Sequence, residues 1–154
     1  MDWAKRLFDL SGRAGRKTYW LTIIPVTLVL FTCVGLLVEE GQGIPLWATL
    51  AAIGVTLAML PVIFAVSVRR LHDRNKAWWW MLLYWVVPML FGPSADGQDA
   101  LIPGLPPAIN ATLSLVSAGV SIWSLIELGF LKGAAGYNRF GPDPAGRGTA
   151  EVFS

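Results

Sequence analysis

The chain contains little charge and almost no cysteine. Only 14% of its 154 residues are charged and 55% are hydrophobic, whereas about 25% of the residues of an ordinary soluble domain are charged. This balance excludes a soluble nucleic-acid-binding protein and indicates a single membrane domain, residues 1–154. Cys33 is the one cysteine, so an intrachain disulfide and a cysteine-based zinc site are both excluded. We therefore predict no metal and no cofactor.

Lys and Arg are absent from two of the five polar segments, the one at Glu39 and Glu40 and the one around Asp96 and Asp99. The twelve basic residues all lie in the other three segments, which alternate with these two: Lys5, Arg6, Arg13, Arg16 and Lys17; Arg69, Arg70, Arg74 and Lys76; Lys132, Arg139 and Arg147. Basic residues accumulate in the cytoplasmic loops of membrane proteins. The alternation therefore predicts four membrane spans, with both termini and the turn 69–76 in the cytoplasm.

Four apolar stretches separate the polar segments, at about 19–38, 44–68, 77–91 and 109–131. A helix rises 1.5 Å per residue, so about twenty residues cross the roughly 30 Å hydrocarbon core. Strands are excluded because an open sheet edge leaves backbone groups unsatisfied in lipid. We predict an all-α, polytopic membrane protein of four transmembrane helices with short loops, the third helix being short. A helix lying in the membrane surface at 2–10 and an irregular tail at 133–154 complete the prediction.

Glu127 is the only acid inside a predicted span. A carboxylate at that depth is costly unless it is paired, hydrated or protonated. We predict an ion pair with Arg69 or Arg70, which follow the second span at the same depth. The alternatives are a carboxylate that extends to the membrane interface and a site for a transported proton or cation. A stripe of small polar residues on the same span indicates helix packing or, in the alternative, a solute pathway. Its members are Asn110, Ser114, Ser117, Ser121 and Ser124.

The segment 69–80 is the densest cluster of charge and aromatic rings, with four cations, one acid, one imidazole and three indoles. In a purely topological interpretation the bases anchor the turn and the tryptophans lie at the level of the lipid headgroups. A catalytic interpretation lacks a nucleophile. His72 and Asp73 would also not face each other, because neighbours on a helix point in different directions.

A second basic cluster, 11–20, precedes the first span. Its glycines could let backbone N–H groups join the arginines around a phosphate, although the spacing does not match a nucleotide-binding phosphate loop. We predict that arginines of both clusters converge on one anion site with a tryptophan beside it; the alternative is that each arginine is a separate topological anchor. The candidate residues are Arg13, Arg16, Lys17, Trp20, Arg69, Arg70, His72, Asp73 and Trp78.

Three motifs give the chain a resemblance to a known family. Residues 12–20, GRAGRKTYW, resemble the pattern GR-x-x-R-x-x-x-W. Residues 69–73, RRLHD, followed by Trp79 and Trp80, resemble RRLHD…WW. Residues 136–144, GYNRFGPDP, with Asn138, Gly141 and Pro142, resemble G-x-N-x-[YF]-G-P-x-P. These patterns are typical of the bacterial inner-membrane family called domain of unknown function 805. At 74–77 the chain has RNKA where the family commonly has a glycine-containing stretch. The resemblance implies a four-helix protein of the bacterial inner (cytoplasmic) membrane and no established reaction.

All three motifs fall in segments predicted to be cytoplasmic, so they can act together at one face of the bundle. We predict a non-enzymatic binding or interaction module whose basic, aromatic face engages anionic lipid headgroups or an acidic partner. One alternative is a small transporter or channel that uses Glu127 and the serine stripe. Another is a membrane enzyme acting on a phosphorylated lipid, with His72 as acid or base. The predicted partners are membrane lipids and no nucleic acid, and a homo-oligomer or an unknown membrane partner is left open.

Overall fold

A computed structural model describes residues 9–38, 45–92 and 105–146. Four helices follow one another along the chain: α1, Arg16–Val38; α2, Leu46–Asp73; α3, Trp80–Phe91; and α4, Pro107–Leu125, which continues into a π-helical turn, Ile126–Phe130. Three segments are long and apolar enough to cross a membrane, namely Arg16–Gly35, Leu46–Asp73 and Pro107–Phe130, and α3 is a shorter apolar helix. The described part contains no strand, which confirms the predicted all-α, four-helix membrane fold. The predicted surface helix at 2–10 lies almost entirely outside the described residues, as do residues 93–104 and Arg147.

The second helix is longer at its C-terminal end than the hydropathy pattern predicts, because it includes the basic segment as far as Asp73. It ends with a left-handed residue, Asn75, whose φ is 59°. The Lys76 N–H donates to the Leu71 carbonyl at 2.9 Å and the Asn75 N–H donates to the His72 carbonyl at 3.0 Å. These two bonds form a Schellman cap, in which glycine or asparagine takes the left-handed position. Asn75 therefore allows the tight turn that separates α2 from α3.

Large apolar side chains cover the outer surfaces of the helices, and the packed core lies at one end. Leu21, Phe31 and Leu115 are at least three-quarters exposed, as expected for side chains that face lipid. The core instead collects around the end of α2 and consists of Ala14, Tyr19, Val66, Val68, Leu71, Met81, Tyr84 and Leu128. We call this the basic end of the bundle: residues 9–17, the end of α2 with the following turn, 69–79, and the segment 131–146. Its fold positions the candidate site.

Candidate functional site at the basic end

Three segments that are far apart in the sequence meet at the basic end. The Ala14 N–H donates to the Arg69 carbonyl at 3.0 Å, and the Ala134 N–H donates to the Asp73 carbonyl at 2.8 Å. The Asn138 side-chain amide donates to the His72 carbonyl at 2.9 Å. The segment before α1 and the tail after the fourth helix are thus both hydrogen-bonded to the end of α2. All three sequence motifs lie together at one face.

The carboxylate of Asp73 is the centre of this assembly. Arg13 donates to Asp73 Oδ1 through Nε at 3.0 Å and through Nη2 at 2.8 Å. Arg70 binds the other oxygen, Oδ2. The three side chains are each at most 2% exposed. Buried charges persist only when they are paired and hydrogen-bonded, so the two cations and the carboxylate form one structural unit.

The remaining donors of the two arginines bind backbone carbonyls. Arg13 Nη1 donates to the Gly136 carbonyl at 2.7 Å. Arg70 donates to the Leu128 carbonyl at 2.8 Å and to the Leu131 carbonyl at 2.5 Å. Both guanidinium groups therefore tie the end of α4 and the tail to α2. The predicted convergence of arginines is real for this pair, but it occurs on Asp73 of the same chain.

Two glycines shape the tail: Gly133 allows the close approach to Asp73, and Gly141 provides a positive φ. A Cβ at Gly133 would overlap the Asp73 carboxylate. Gly141 has a φ of 127°, in the region that favours glycine, and its backbone exchanges two hydrogen bonds with Asn138. Pro142 follows at the surface. The structure thus gives Asn138, Gly141 and Pro142 a place in a turn that docks on the rest of the basic end.

His72 is also held between two segments. Its ring stacks on Phe140, with ring centroids 3.8 Å apart and an angle of 4° between the planes. Its Nδ1 lies 3.1 Å from the Gly12 carbonyl oxygen, and because a carbonyl only accepts, Nδ1 carries the proton in this bond. The imidazole therefore links the first and last motifs to α2. Within the described ranges, no group of three or more His, Cys, Asp or Glu residues could hold a metal ion.

Glu127 lies in the π-helical turn and is fully buried. Its carboxylate accepts from Arg74 Nε at 3.0 Å, from Lys76 Nζ at 2.5 Å and from Trp123 Nε1 at 3.1 Å. The Tyr84 hydroxyl donates the fourth hydrogen bond. The Glu127 carboxylate is thus fully paired. Its hydrogen-bond donors come from α3, from α4 and from the turn after α2.

The predicted ion pair of Glu127 with Arg69 or Arg70 is wrong. Arg70 points to Asp73, and the Schellman cap at Asn75 turns the chain so that Arg74 and Lys76 pass over Glu127 instead. One signal for these partners was present in the sequence: Trp123 precedes Glu127 by four residues, and such pairs meet on a helix. The remaining partners depend on the turn.

Arg69 lies apart from the Asp73 cluster. It is close enough to Asp9 to act on it electrostatically. The backbone N–H and the hydroxyl of Ser11 both donate to the Asp9 carboxylate at 2.8 Å, and these bonds, with a smaller contribution from Arg69, lower the pKa of Asp9 below its usual value. The prediction that all four arginines share one site is therefore not met.

Arg16 and Lys17 are the exposed cations beside a cavity of about 390 Å³ at the start of α1. Thr18, Asp143 and Pro144 also line this cavity, which reaches the Arg70 and Asp73 pair at its inner wall. Asp143 lies 3.8 Å from Arg13 Nη2, and Asp73 is neutralised by two arginines. The cavity thus presents two exposed bases against carboxylates that already have cationic partners.

The two tryptophans predicted to flank an anion site lie in different places. Trp20 does not line this cavity, but it lines a neighbouring recess together with Arg16 and Lys17, and its Nε1 donates to the Gly129 carbonyl at 3.0 Å. Its ring meets Phe130 edge-on, with centroids 5.6 Å apart. Trp78 is in the turn before α3, is 55% exposed, and does not line the cavity. Only Trp20 accompanies Arg16 and Lys17.

Comparison with known proteins extends the resemblance noted in the sequence. A family described as "Protein of unknown function (DUF805)" matches residues 7–142. The chain is 32% identical over 140 residues to "Uncharacterized protein YiiR" of Escherichia coli (strain K12), an alignment covering 89% of this chain and 86% of that protein. It is also 32% identical over 159 residues to "Inner membrane protein YhaH" of the same strain, covering 94% and 97%. No solved structure matches the chain.

Proposed function

This chain belongs to the DUF805 family of membrane proteins, and we propose that it is a non-enzymatic binding module whose basic end faces the cytoplasm and binds the headgroups of anionic lipids. One observation carries the proposal. Four bases of the basic end, Arg13, Arg70, Arg74 and Lys76, are held in ion pairs with Asp73 and Glu127, whereas Arg16 and Lys17 are exposed beside a cavity. The cavity, of about 390 Å³, is in the size range of small-molecule sites.

Arg16 is suited to a phosphate because it keeps hydrogen-bond donors for a ligand. Its Nη1 donates to the Phe130 carbonyl at 3.2 Å, which fixes one side of the guanidinium. A guanidinium has five N–H donors, and its planar fork matches phosphate geometry. Lys17, the next residue, adds a second positive charge. The bond to Phe130 therefore orients Arg16 and leaves most of its donors toward solvent.

The alternation of basic and base-free segments supports the cytoplasmic orientation of this end. The cytoplasmic leaflet is negatively charged, and each base close to it contributes about 1 kcal/mol of attraction. The basic end would then lie where anionic headgroups are most abundant.

The geometry favours this function over transport or catalysis. The Glu127 carboxylate already accepts bonds from four donors, two of them cationic, so it has little capacity for a transported cation. The Ser121 hydroxyl donates within its own helix, to the Ser117 carbonyl, and Ser117 is buried, as in helix packing. His72 is stacked on Phe140, which suits a structural link better than an acid or base.

The test compares two double variants of the full-length protein in detergent. Arg16→Gln with Lys17→Gln removes the exposed bases of the cavity, and Lys132→Gln with Arg139→Gln removes two other exposed bases of the same end. Native mass spectrometry measures binding of dioleoyl phosphatidylglycerol. We expect the first pair to raise the Kd roughly 30-fold, if each base contributes about 1 kcal/mol, and the second to change it much less. Equal losses in both pairs would contradict a defined headgroup site.

A further inference from the structure

The cavity beside Arg16 and Lys17 is the first of three recesses along α1. It shares Arg16 and Lys17 with a second recess of about 550 Å³. That recess also contains Trp20, Leu21, Gly129 and Phe130, and it shares Trp20 with a third recess of about 310 Å³. The third recess is apolar and is lined by Tyr19, Ile23, Ile24, Thr27, Leu28 and Leu125. The three recesses therefore follow one another along α1 as a groove, with polar lining at the basic end and apolar lining toward the middle of the helix.

The groove exists because α1 contacts the π-helical turn that ends the fourth helix and diverges from α4 itself. Trp20 lies against Gly129, where an added Cβ would be 2.6 Å from Trp20 Cζ2. Among the described residues, α1 packs against the π-helical turn and does not pack against α4 itself. The Trp20 indole thus lies between the second and the third recess, and the walls of the third recess are α1 and Leu125.

The length of the groove matches one leaflet. Lys17 and Leu28 are eleven residues apart on α1, which corresponds to about 16 Å at 1.5 Å per residue. Half of a hydrocarbon core of roughly 30 Å is about 15 Å. Trp20 lies between the bases and the apolar part, the position that tryptophan prefers at a membrane interface.

We infer that this groove binds one anionic glycerophospholipid of the leaflet on the basic side, with its phosphate at Arg16 and Lys17 and one acyl chain along α1 beside Leu125. The inference rests on the proposed function and specifies its ligand. Charge complementarity at Arg16 and Lys17 selects an anionic headgroup. The apolar continuation past Trp20 selects a ligand with a long chain over a free phosphate compound.

The first experiment separates chain binding from headgroup binding. Ile24 is half exposed and lines the third recess. Ile24→Trp therefore fills this apolar recess without changing a charge. Val29→Trp is the matched control, since Val29 is similarly exposed on α1 and does not line the groove. The probes are dioleoyl phosphatidylglycerol, dihexanoyl phosphatidylglycerol and glycerol 3-phosphate, each titrated against the full-length protein in detergent.

We expect Ile24→Trp to weaken dioleoyl phosphatidylglycerol binding by about fivefold and to leave dihexanoyl phosphatidylglycerol binding unchanged, whereas Val29→Trp changes neither. Glycerol 3-phosphate should bind much more weakly than the diacyl lipid. If Ile24→Trp binds the diacyl lipid as the unmodified protein does, or if both tryptophan variants weaken it equally, the groove is not the chain site. Tight binding of glycerol 3-phosphate would also overturn the inference. The proposed function fails separately, if Arg16→Gln with Lys17→Gln leaves all lipid binding intact.

A second measurement locates the chain directly. Phosphatidylglycerol with a photoreactive group near the middle of one acyl chain is irradiated with the protein, and the labelled peptides are mapped. Labels concentrated at Ile24, Leu28 and Leu125 are expected. Labels spread evenly over other exposed positions, such as Trp47 and Leu115, would show ordinary contact with surrounding lipid and would overturn the groove.

Discussion

Arg13 and Asp73 are sixty residues apart in the chain, and their side chains are joined by two hydrogen bonds, of 3.0 and 2.8 Å, to the same carboxylate oxygen. Arg70 holds the second oxygen. We predict that Asp73→Asn destabilises the protein by about 3–5 kcal/mol, because two buried guanidinium groups lose their counter-ion. Denaturant unfolding in detergent measures this change. Asp9→Asn, at an exposed carboxylate of the same end, is the control and should have little effect.

Gly133 gives an independent test of the same cluster. We predict that Gly133→Ala lowers the free energy of unfolding by about 1–3 kcal/mol, because the new methyl group overlaps the Asp73 carboxylate and the neighbours must move. Gly119→Ala on α4 is the matched substitution, since nothing lies within 4 Å of its added Cβ. It should be neutral or slightly stabilising, as alanine favours helix more than glycine does. Similar losses at both positions would argue against a steric origin.

The ion pair between Glu127 and Lys76 can be measured by a double-mutant cycle. We predict that Glu127→Gln and Lys76→Met, made singly and together, show a coupling energy of about 0.5–3 kcal/mol, because residues in direct contact are not additive. A second cycle combines Glu127→Gln with Arg69→Gln. It should be additive, since the described partners of Glu127 are other residues. Coupling to Arg69 alone would contradict the observed pairing.

Membrane orientation is tested by cysteine accessibility in a Cys33→Ala background. A membrane-impermeant maleimide added outside the cell membrane should label Asp96→Cys, and Lys132→Cys should be labelled only after the membrane is opened. The reason is the confinement of all twelve bases to alternate polar segments. Labelling in the opposite order would place the basic end outside and remove the physical basis of the proposed lipid site.

The number of helices and the meeting of three distant motifs could be predicted from the sequence. Hydropathy distinguishes segments that lie in lipid from segments that lie in water. The placement of bases indicates which of the polar segments lie on the same side of the membrane. The end of α2 could not be placed in this way. Its last residues are polar, and they remain helical because Arg70 and Asp73 satisfy each other inside the protein.

The identity of the ion pairs could not be predicted either. The segment 69–76 has four cations, and the two that reach Glu127, Arg74 and Lys76, do so through the turn at the left-handed residue Asn75. Arginines also look equally available in a sequence. In the structure, Arg13 and Arg70 both bind the buried Asp73. Arg16 and Lys17 are the exposed pair at the cavity.

The Asp73 cluster has a consequence for how the protein is made. Asp73 is bound by Arg13 of the first motif and by Arg70 of α2, and the carbonyls that bind these two arginines come from the π-helical turn and the tail. The cluster therefore cannot be completed before the last helix is in place. Until then Arg70 and Asp73 have each other, and Arg13 has neither the Gly136 nor the Ala134 carbonyl. Closure of the cluster therefore requires the start of α1 and the end of the fourth helix to lie at the same end of the bundle. A chain whose fourth helix lay in the opposite direction would leave Arg13 and Arg70 without the carbonyls of the π-helical turn and the tail.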